Sequence, residues 1–302
     1  MAQANRTVIE DYYRAMGQGD FDHVVSLHAP DLVCWMSGRS LVSGRFQGRT
    51  ELYAHMGRHV LGALVTGTEP YVKDNRIAVV DGDFVLGLLH GGLPGIQPDS
   101  RYDQFYFQLF RLEQGLIVEI VEIFDTVMVE TVLMGRKLAT PRAWPAAPFD
   151  LAAPALQGRS RGDTTRLARE LGQALAADQA ERVAALLSRE PIVRLIGTTP
   201  SSGRWNCIDP VYPVLAGGMR DVRTVCADES AACLLMRSAN PYYQQQLGIL
   251  IGIQDDRIGE LTIFADTLEA EQVVFGNRIL PDASERVMPP FDVATAFGGS
   301  RE

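Results

Sequence analysis

Apolar positions in this chain recur at two periods, and the periods follow one another in the same order in both halves. Val8, Ile9, Tyr12, Tyr13 and Met16 fall at helical spacing and predict a first helix. Asp20 is placed to cap a second, short helix that carries Phe21, Val24, Val25 and Leu27. A short strand is expected near Leu32–Met36, a loop at Ser43-Gly44, and a third helix over Thr50–Leu61. Strand patterning then predicts Leu64–Lys73, Arg76–His90, Tyr102–Leu112 and Leu116–Phe124, with a last short helix starting at Asp125 or Thr126. The second half predicts helices over Thr165–Ala177 and Ala180–Ser188, a strand at Ile192–Ile196 and a helix near Ile208–Ala216. Strands follow at Asp221–Ala227, Ala231–Ser238, Tyr243–Ile253 and Arg257–Phe264. Helices first and a meander of strands afterwards argue for an α+β domain, not a doubly wound sheet.

The two halves are copies. Ser43-Gly44-Arg45-Phe46 returns 159 residues later as Ser202-Gly203-Arg204-Trp205. Ile117-Val118-Glu119-Ile120 returns after 141 residues as Ile258-Gly259-Glu260-Leu261. At that same offset Asp125-Thr126 maps to Asp266-Thr267, Glu130 to Glu271 and Gly135 to Gly276. Pro148-Phe149-Asp150-Leu151 returns as Pro290-Phe291-Asp292-Val293, so this segment reads as a packed tail as well as a linker. The expected division is a first domain over 1–140, a Pro-rich linker over 141–162 and a second, diverged domain over 163–302.

Composition removes several function classes. The 302 residues are 46% hydrophobic and 22% charged, which is globular composition. Acids outnumber Lys and Arg 37 to 28 and no basic stripe occurs, so nucleic acid is not an expected partner. No apolar run approaches the roughly 20 residues of a membrane span, and Met1–Asp20 lacks the pattern of a signal peptide. The four cysteines, Cys34, Cys207, Cys226 and Cys233, form no Cys-x-x-Cys and read as apolar fillers in a reducing cytoplasm. Dinucleotide-binding glycine fingerprints, Walker-type loops and Gly-x-Ser-x-Gly elbows do not occur, and neither a metal nor another cofactor is expected.

Tyr12-Tyr13…Gly19-Asp20-Phe21, Ser43-Gly44…Gly48 and Gly115-Leu116-Ile117-Val118-Glu119-Ile120…Phe124-Asp125 carry a family resemblance. Each half resembles the SnoaL-like and ketosteroid-isomerase-like domains of the nuclear transport factor 2 superfamily, over 4–135 and, more weakly, 163–276. The resemblance implies two cone-like domains, each a curved, mostly antiparallel sheet packed on N-terminal helices around an apolar cavity. The family holds isomerases, polyketide cyclases, dehydratases, limonene-epoxide hydrolases and non-catalytic binding domains, so fold does not fix function. Family members often pair across the open sheet face, and a fused pair is expected to make that contact within one chain, as a pseudo-dimer.

The most chemical feature of the sequence is a strand hairpin. With a tight turn at Glu113-Gln114-Gly115, opposed residue numbers sum to about 227 or 228, and Asp103 and Asp125 meet that sum. Opposed carboxylates in an apolar cavity would split into an acid and a base, and Arg101 would orient them. The Arg101-x-Asp103 and Asp125 set looks like the Arg and two Asp of limonene-epoxide hydrolases, though with a shorter interval between the Asp residues. A bland reading stands beside it. Asp125-Thr126 and Asp266-Thr267 both precede short helices, where Asp is a favoured cap, and Asp103 reads equally as part of an exposed strand face. In the second half Asp103 and Arg101 become Gln244 and Tyr242.

The remaining candidates are ligand-binding residues: Tyr13, Trp35 and Tyr53 as aromatic walls, His28 at the end of a short helix, and His90 before a glycine-rich loop that reads as a lid. His55 and His59 share a helix face but lack a third metal ligand. The expected function is a cofactor-independent acid–base enzyme, of isomerase, cyclase, dehydratase or epoxide-hydrolase type, on a small apolar molecule. The alternative is a non-catalytic binding or dimerisation protein of the same fold.

Overall fold

The computed structural model describes residues 2–141, 150–151, 160–239 and 245–298. The first half opens with α1 (Ala2–Gln18), which buries Ile9, Tyr12 and Tyr13 on one face. In α2 (Phe21–Ser26) the Asp20 carboxylate accepts the His23 amide as its cap, as the sequence predicts. β1 (His28–Met36) and β2 (Gly44–Gln47) pair antiparallel, so the expected Ser43-Gly44 loop continues directly into a short strand. Then come α3 (Arg49–His59), β3 (Val72–Asp81), β4 (Phe84–Pro94), β5 (Arg101–Glu113) and β6 (Leu116–Phe124). Two strand assignments are corrected here. Leu64–Lys73 is a loop up to Tyr71, and the span Arg76–His90 is split by a Gly82-Asp83 turn joining Asp81 to Phe84.

A short α4 (Thr126–Met128) runs into one wide helical turn, and β7 (Lys137–Leu138) follows. The second half repeats the series: α5 (Arg161–Ala176), α6 (Ala180–Leu186), β8 (Leu187–Ile196), β9 (Gly203–Trp205) and α7 (Tyr212–Leu215). β10 (Met219–Ala227), β11 (Ala231–Ser238), β12 (Gln246–Gln254), β13 (Arg257–Ala265), α8 (Thr267–Glu269) and β14 (Ile279–Leu280) complete it. Each half has one curved six-stranded sheet, with orders β2-β1-β6-β5-β4-β3 and β9-β8-β13-β12-β11-β10. In both, the first strand lies parallel to the last and every other pair is antiparallel. The mixed α+β fold of two such bodies is the one the sequence predicts. Most of the expected linker over 141–162, and the positions Tyr242 and Gln244, lie outside the described residues.

Alternation along the strands gives each sheet two buried faces. In the first half Leu89, Tyr102, Tyr106, Phe110, Ile120 and Phe124 pack inward against the helices. Leu88, Phe105, Phe107, Leu109, Val121 and Ile123 pack outward, and they meet Cys233, Leu235, Leu250 and Phe264 of the second sheet. The halves therefore join sheet face to sheet face. Equivalent residues make reciprocal contacts across that join. Thr126 donates to Asp266 and Thr267 donates to Asp125; the Ala227 amide donates to Asp81 and the Val80 amide to Asp228. Reciprocity is the mark of a two-fold contact, here made within one chain.

The symmetry is broken where the sheets come closest. Phe107 is equivalent to Gly248, and its ring lies where a Gly248 Cβ would be, 2.9 Å from that position. Glu260 is fully buried and takes both Arg76 guanidinium nitrogens, at 2.8 and 3.0 Å, plus Arg194 at 2.8 Å. Its equivalent Glu119 accepts Trp35 Nε1 at 2.7 Å and the Phe297 amide at 2.6 Å, with one arginine, Arg111, at 3.3 Å. The tail bearing Phe291 and Val293 is buried in the same layer, so the returning Pro-Phe-Asp segment is a packed tail at its second occurrence.

Candidate functional site

The helices of the first half do not fill its cone. A cavity of about 560 Å³ lies between α1, α3 and the inner sheet face, within the range of small-molecule sites. Its mouth is framed by Gln18 and Phe21 at the α1–α2 junction, Gly57 of α3, and the exposed Thr66–Pro70 loop. Its wall is largely apolar, with polar groups in three sets.

The first set is a carboxyl. Glu122 stands on β6 with its side chain on the inner face, and its partial exposure is to the cavity it lines. Gln108, directly opposite on β5, donates to Glu122 Oε1 at 2.6 Å. Burial pushes the acid up to about 7, with the Gln108 bond opposing that rise. The second set is His28, whose Nδ1 lies 2.7 Å from the Tyr53 hydroxyl. Burial, then the Arg49 charge, lowers this histidine to about 4, so it is neutral at pH 7. The third set is a chain of phenols. Tyr71 and Tyr106 hydroxyls are 2.7 Å apart, and Tyr106 donates to Tyr102 at 3.4 Å. Burial raises Tyr102 to about 12, so it stays a neutral donor.

The pairing of Asp103 with Asp125 does not form. The hairpin turn is only Gln114-Gly115, both with positive φ, which sets Glu113 opposite Leu116. An extra residue at Val118 then shifts the ladder, and opposed numbers sum to 230 from Arg111 onwards. Asp103 sits on the outer sheet face, where its carboxylate takes the Arg101 Nε at 2.9 and 3.0 Å. Burial would raise this acid, but the His90 and Arg101 contacts hold it below the usual range. Arg101 also bonds Glu69 at 2.6 Å, so its charge is spent at the surface. Asp125 is the cap of α4, accepting the Met128 amide at 3.1 Å, and its backbone is clamped by Gln104 at 3.0 and 2.9 Å. Gln245 makes one of those clamps on Asp266.

Of the five ligand-binding candidates, His28 and Tyr53 line the cavity. Tyr13 lies directly behind the wall, its hydroxyl 2.9 Å from Gln108 Oε1. Trp35 and His90 are on the outer face: Trp35 packs on Phe291, and His90 stacks on Phe105 at 4.2 Å. Parity explains both, since Trp35 and His90 alternate with the cavity-lining Cys34 and Leu89. His55 bonds the Leu41 carbonyl at 3.0 Å, and no cluster of three metal-ligating side chains occurs among the described residues.

The sequence did carry a signal for Glu122. Glu119 and Glu122 are an odd number apart in one strand, so they point to opposite faces, and both faces are apolar. The second copy keeps the outward one as Glu260 and replaces the inward one with Ile263. His28 likewise becomes Leu187, Gln108 becomes Ile249 and Tyr106 becomes Leu247, so aliphatic side chains replace the polar wall in the second half.

Residues 9–120 match the SnoaL-like domain family. Among curated proteins none matches the chain. Similar solved structures include Bal32a from a soil-derived mobile gene cassette, at 20% identity and a TM-score of 0.36, covering 44% of this chain and 98% of that one. An NTF2-like protein from Burkholderia xenovorans gives 18% identity and a TM-score of 0.33, with the same coverage. One from Burkholderia thailandensis gives 17% and 0.36, covering 42% of this chain and 95% of its own.

Proposed function

We propose that this tandem SnoaL-like protein, divided as 1–140, 141–162 and 163–302, is an acid–base enzyme whose one active cavity is in the first half. Glu122 is its proton-transfer residue. The observation that carries this reading is a carboxyl buried in the wall of an apolar cavity, facing neutral phenols, where burial pushes its midpoint up to about 7. A group with that midpoint is half ionised at pH 7, where a base is both present and strong enough to work. The best-supported reaction is proton transfer at a carbon next to a carbonyl of a small, largely apolar, uncharged ligand.

In the forward step a Glu122 oxygen takes the proton from the substrate C–H. The electron pair passes into the carbonyl, and the charge gathering on its oxygen is met by a tyrosine O–H of the Tyr102–Tyr106–Tyr71 chain. The Glu122 acid then returns the proton to a different carbon, which completes an isomerisation. Gln108 stabilises the ionised state of Glu122 between turnovers. The four cysteines are free thiols, in keeping with work in the cytoplasm.

The test is deuterium incorporation from D2O into a panel of cyclic enones and 1,3-diketones, followed by NMR. The native protein should exchange α-protons at a rate that rises with pH through about 7. Glu122→Gln should lower that rate by about 10²–10⁴-fold while the ligand still binds. Unchanged exchange in Glu122→Gln would leave a ligand-binding protein and remove the enzyme.

A further inference from the structure

Glu122 is held by one side chain, and that side chain has two unlike ends. The amide of Gln108 can present its NH2, which favours the ionised carboxylate, or its oxygen, which favours only the protonated acid. The choice is made one step further back. The Tyr13 hydroxyl lies 2.9 Å from Gln108 Oε1, and both residues are buried. The Tyr13 hydroxyl donates to this oxygen, which is the acceptor its proton has among the described residues; with the amide oxygen so engaged, the NH2 end faces Glu122, at 2.6 Å.

The backbone is cut away to allow this. Gly87 pairs with Gln108 on the neighbouring strand, and a Cβ at Gly87 would overlap the Tyr13 hydroxyl. The second half shows the arrangement without its chemistry. The equivalents of Tyr13, Gly87, Gln108 and Glu122 are Gly172, Leu234, Ile249 and Ile263. Large and small have changed places between helix and strand, and both polar strand residues have become isoleucine. The space is filled in either copy, by Tyr13 in one and by Leu234 with Val222 in the other. Packing alone therefore asks for neither the phenol nor the amide.

We infer that Tyr13 is a positioning residue for Glu122: through Gln108 it dictates which amide end meets the carboxyl, and Gly87 is the notch that lets its hydroxyl reach. The inference rests on the proposed role of Glu122 and adds how that role is set. The other titratable groups facing Glu122 are Tyr12, Cys34, Tyr53, Tyr71 and Tyr102, all held in their neutral forms by burial. His28 titrates at about 4, well away from Glu122.

The experiment is a carboxyl titration by NMR on protein labelled with 13C at the glutamate side chain, with Glu122→Gln to assign the resonance. Tyr13→Phe frees the amide to turn, and the Glu122 midpoint should rise by about one unit, a tenfold weaker acid. Gln108→Leu should raise it too, and Tyr13→Phe added to Gln108→Leu should change nothing further. Gly87→Ala, which keeps the tyrosine but displaces its hydroxyl, should reproduce the rise. An unchanged midpoint in folded Tyr13→Phe, or an equal rise in the Gln108→Leu background, would overturn the inference, since Tyr13 would then act by packing. The titration needs no substrate. Full turnover in Glu122→Gln would refute the enzyme reading while leaving this cycle to stand or fall on its own.

Discussion

Removing the proposed catalytic group should make the protein more stable, and only at high enough pH. Glu122 has an ordinary midpoint of 4.5 when the chain is unfolded and one of about 7 in the folded cavity. Between those values the folded state binds more protons than the unfolded state, so stability falls as pH rises. The contribution is fully present below 4.5 and is lost as pH passes through about 7. Converted at 1.36 kcal/mol per pH unit, the gap amounts to about 3 kcal/mol. Glu122→Gln carries no charge to bury and keeps an amide of similar shape beside Gln108. At pH 5, where the unfolded carboxyl is already mostly ionised, the variant should lead by only about 1 kcal/mol. At pH 8.5 the variant should be more stable by about 3 kcal/mol. Urea unfolding at half-unit pH intervals reads this directly, provided the slopes match. A stability difference that is the same at pH 5 and pH 8.5 would refute the reasoning, because it would mean that the carboxylate is not being desolvated.

Other outcomes follow from the join between the halves. Gly248→Ala places a Cβ 2.9 Å from the Phe107 ring and should cost about 1–3 kcal/mol in unfolding experiments, with the Glu122 titration unmoved. Arg76→Met leaves buried Glu260 with Arg194 and the Thr262 hydroxyl and should cost about 2 kcal/mol, measured in the same way. Thr126→Val and Thr267→Val each remove a hydroxyl from a buried capping aspartate and should each cost about 1–2 kcal/mol in thermal unfolding. A fluorescent apolar ligand should saturate at one molecule per chain by isothermal titration calorimetry, because the second half has aliphatic residues where the first has its polar wall; two equivalents would contradict a single site.

Elements were legible in the sequence where one rule governs. Asp20 before Phe21 and Val24 marks a capped helix whatever surrounds it, and the order of helices and strands follows from period alone. The β3–β4 turn was harder to see because Val79-Val80 and Phe84-Val85 continue the apolar pattern on both sides of Gly82-Asp83. There the Gly-Asp dipeptide, not the pattern, held the information. The expected acid pair depended on register, and a tighter turn at Gln114-Gly115 together with one bulge residue at Val118 moved the opposed sum from 228 to 230. Asp125 recurs at Asp266 because both copies need the same cap and the same cross-join bond, so repetition there marked architecture. The site lay in the opposite signal. Glu122, Gln108 and His28 are where the copies differ, and difference inside a repeated scaffold is what a ligand-facing wall leaves behind.

The Phe107–Gly248 contact fixes the partnership of the two halves as well as their packing. In a pair of identical domains every residue near the axis must tolerate its own image. Two Phe107 rings would have to share the space that one ring now takes from a bare backbone. Fusion lifts that constraint, and the glycine records its lifting. A first half detached from its partner could not simply rejoin a copy of itself. The second half serves as a mould cast to one shape, and the first cone stands on it in a single orientation.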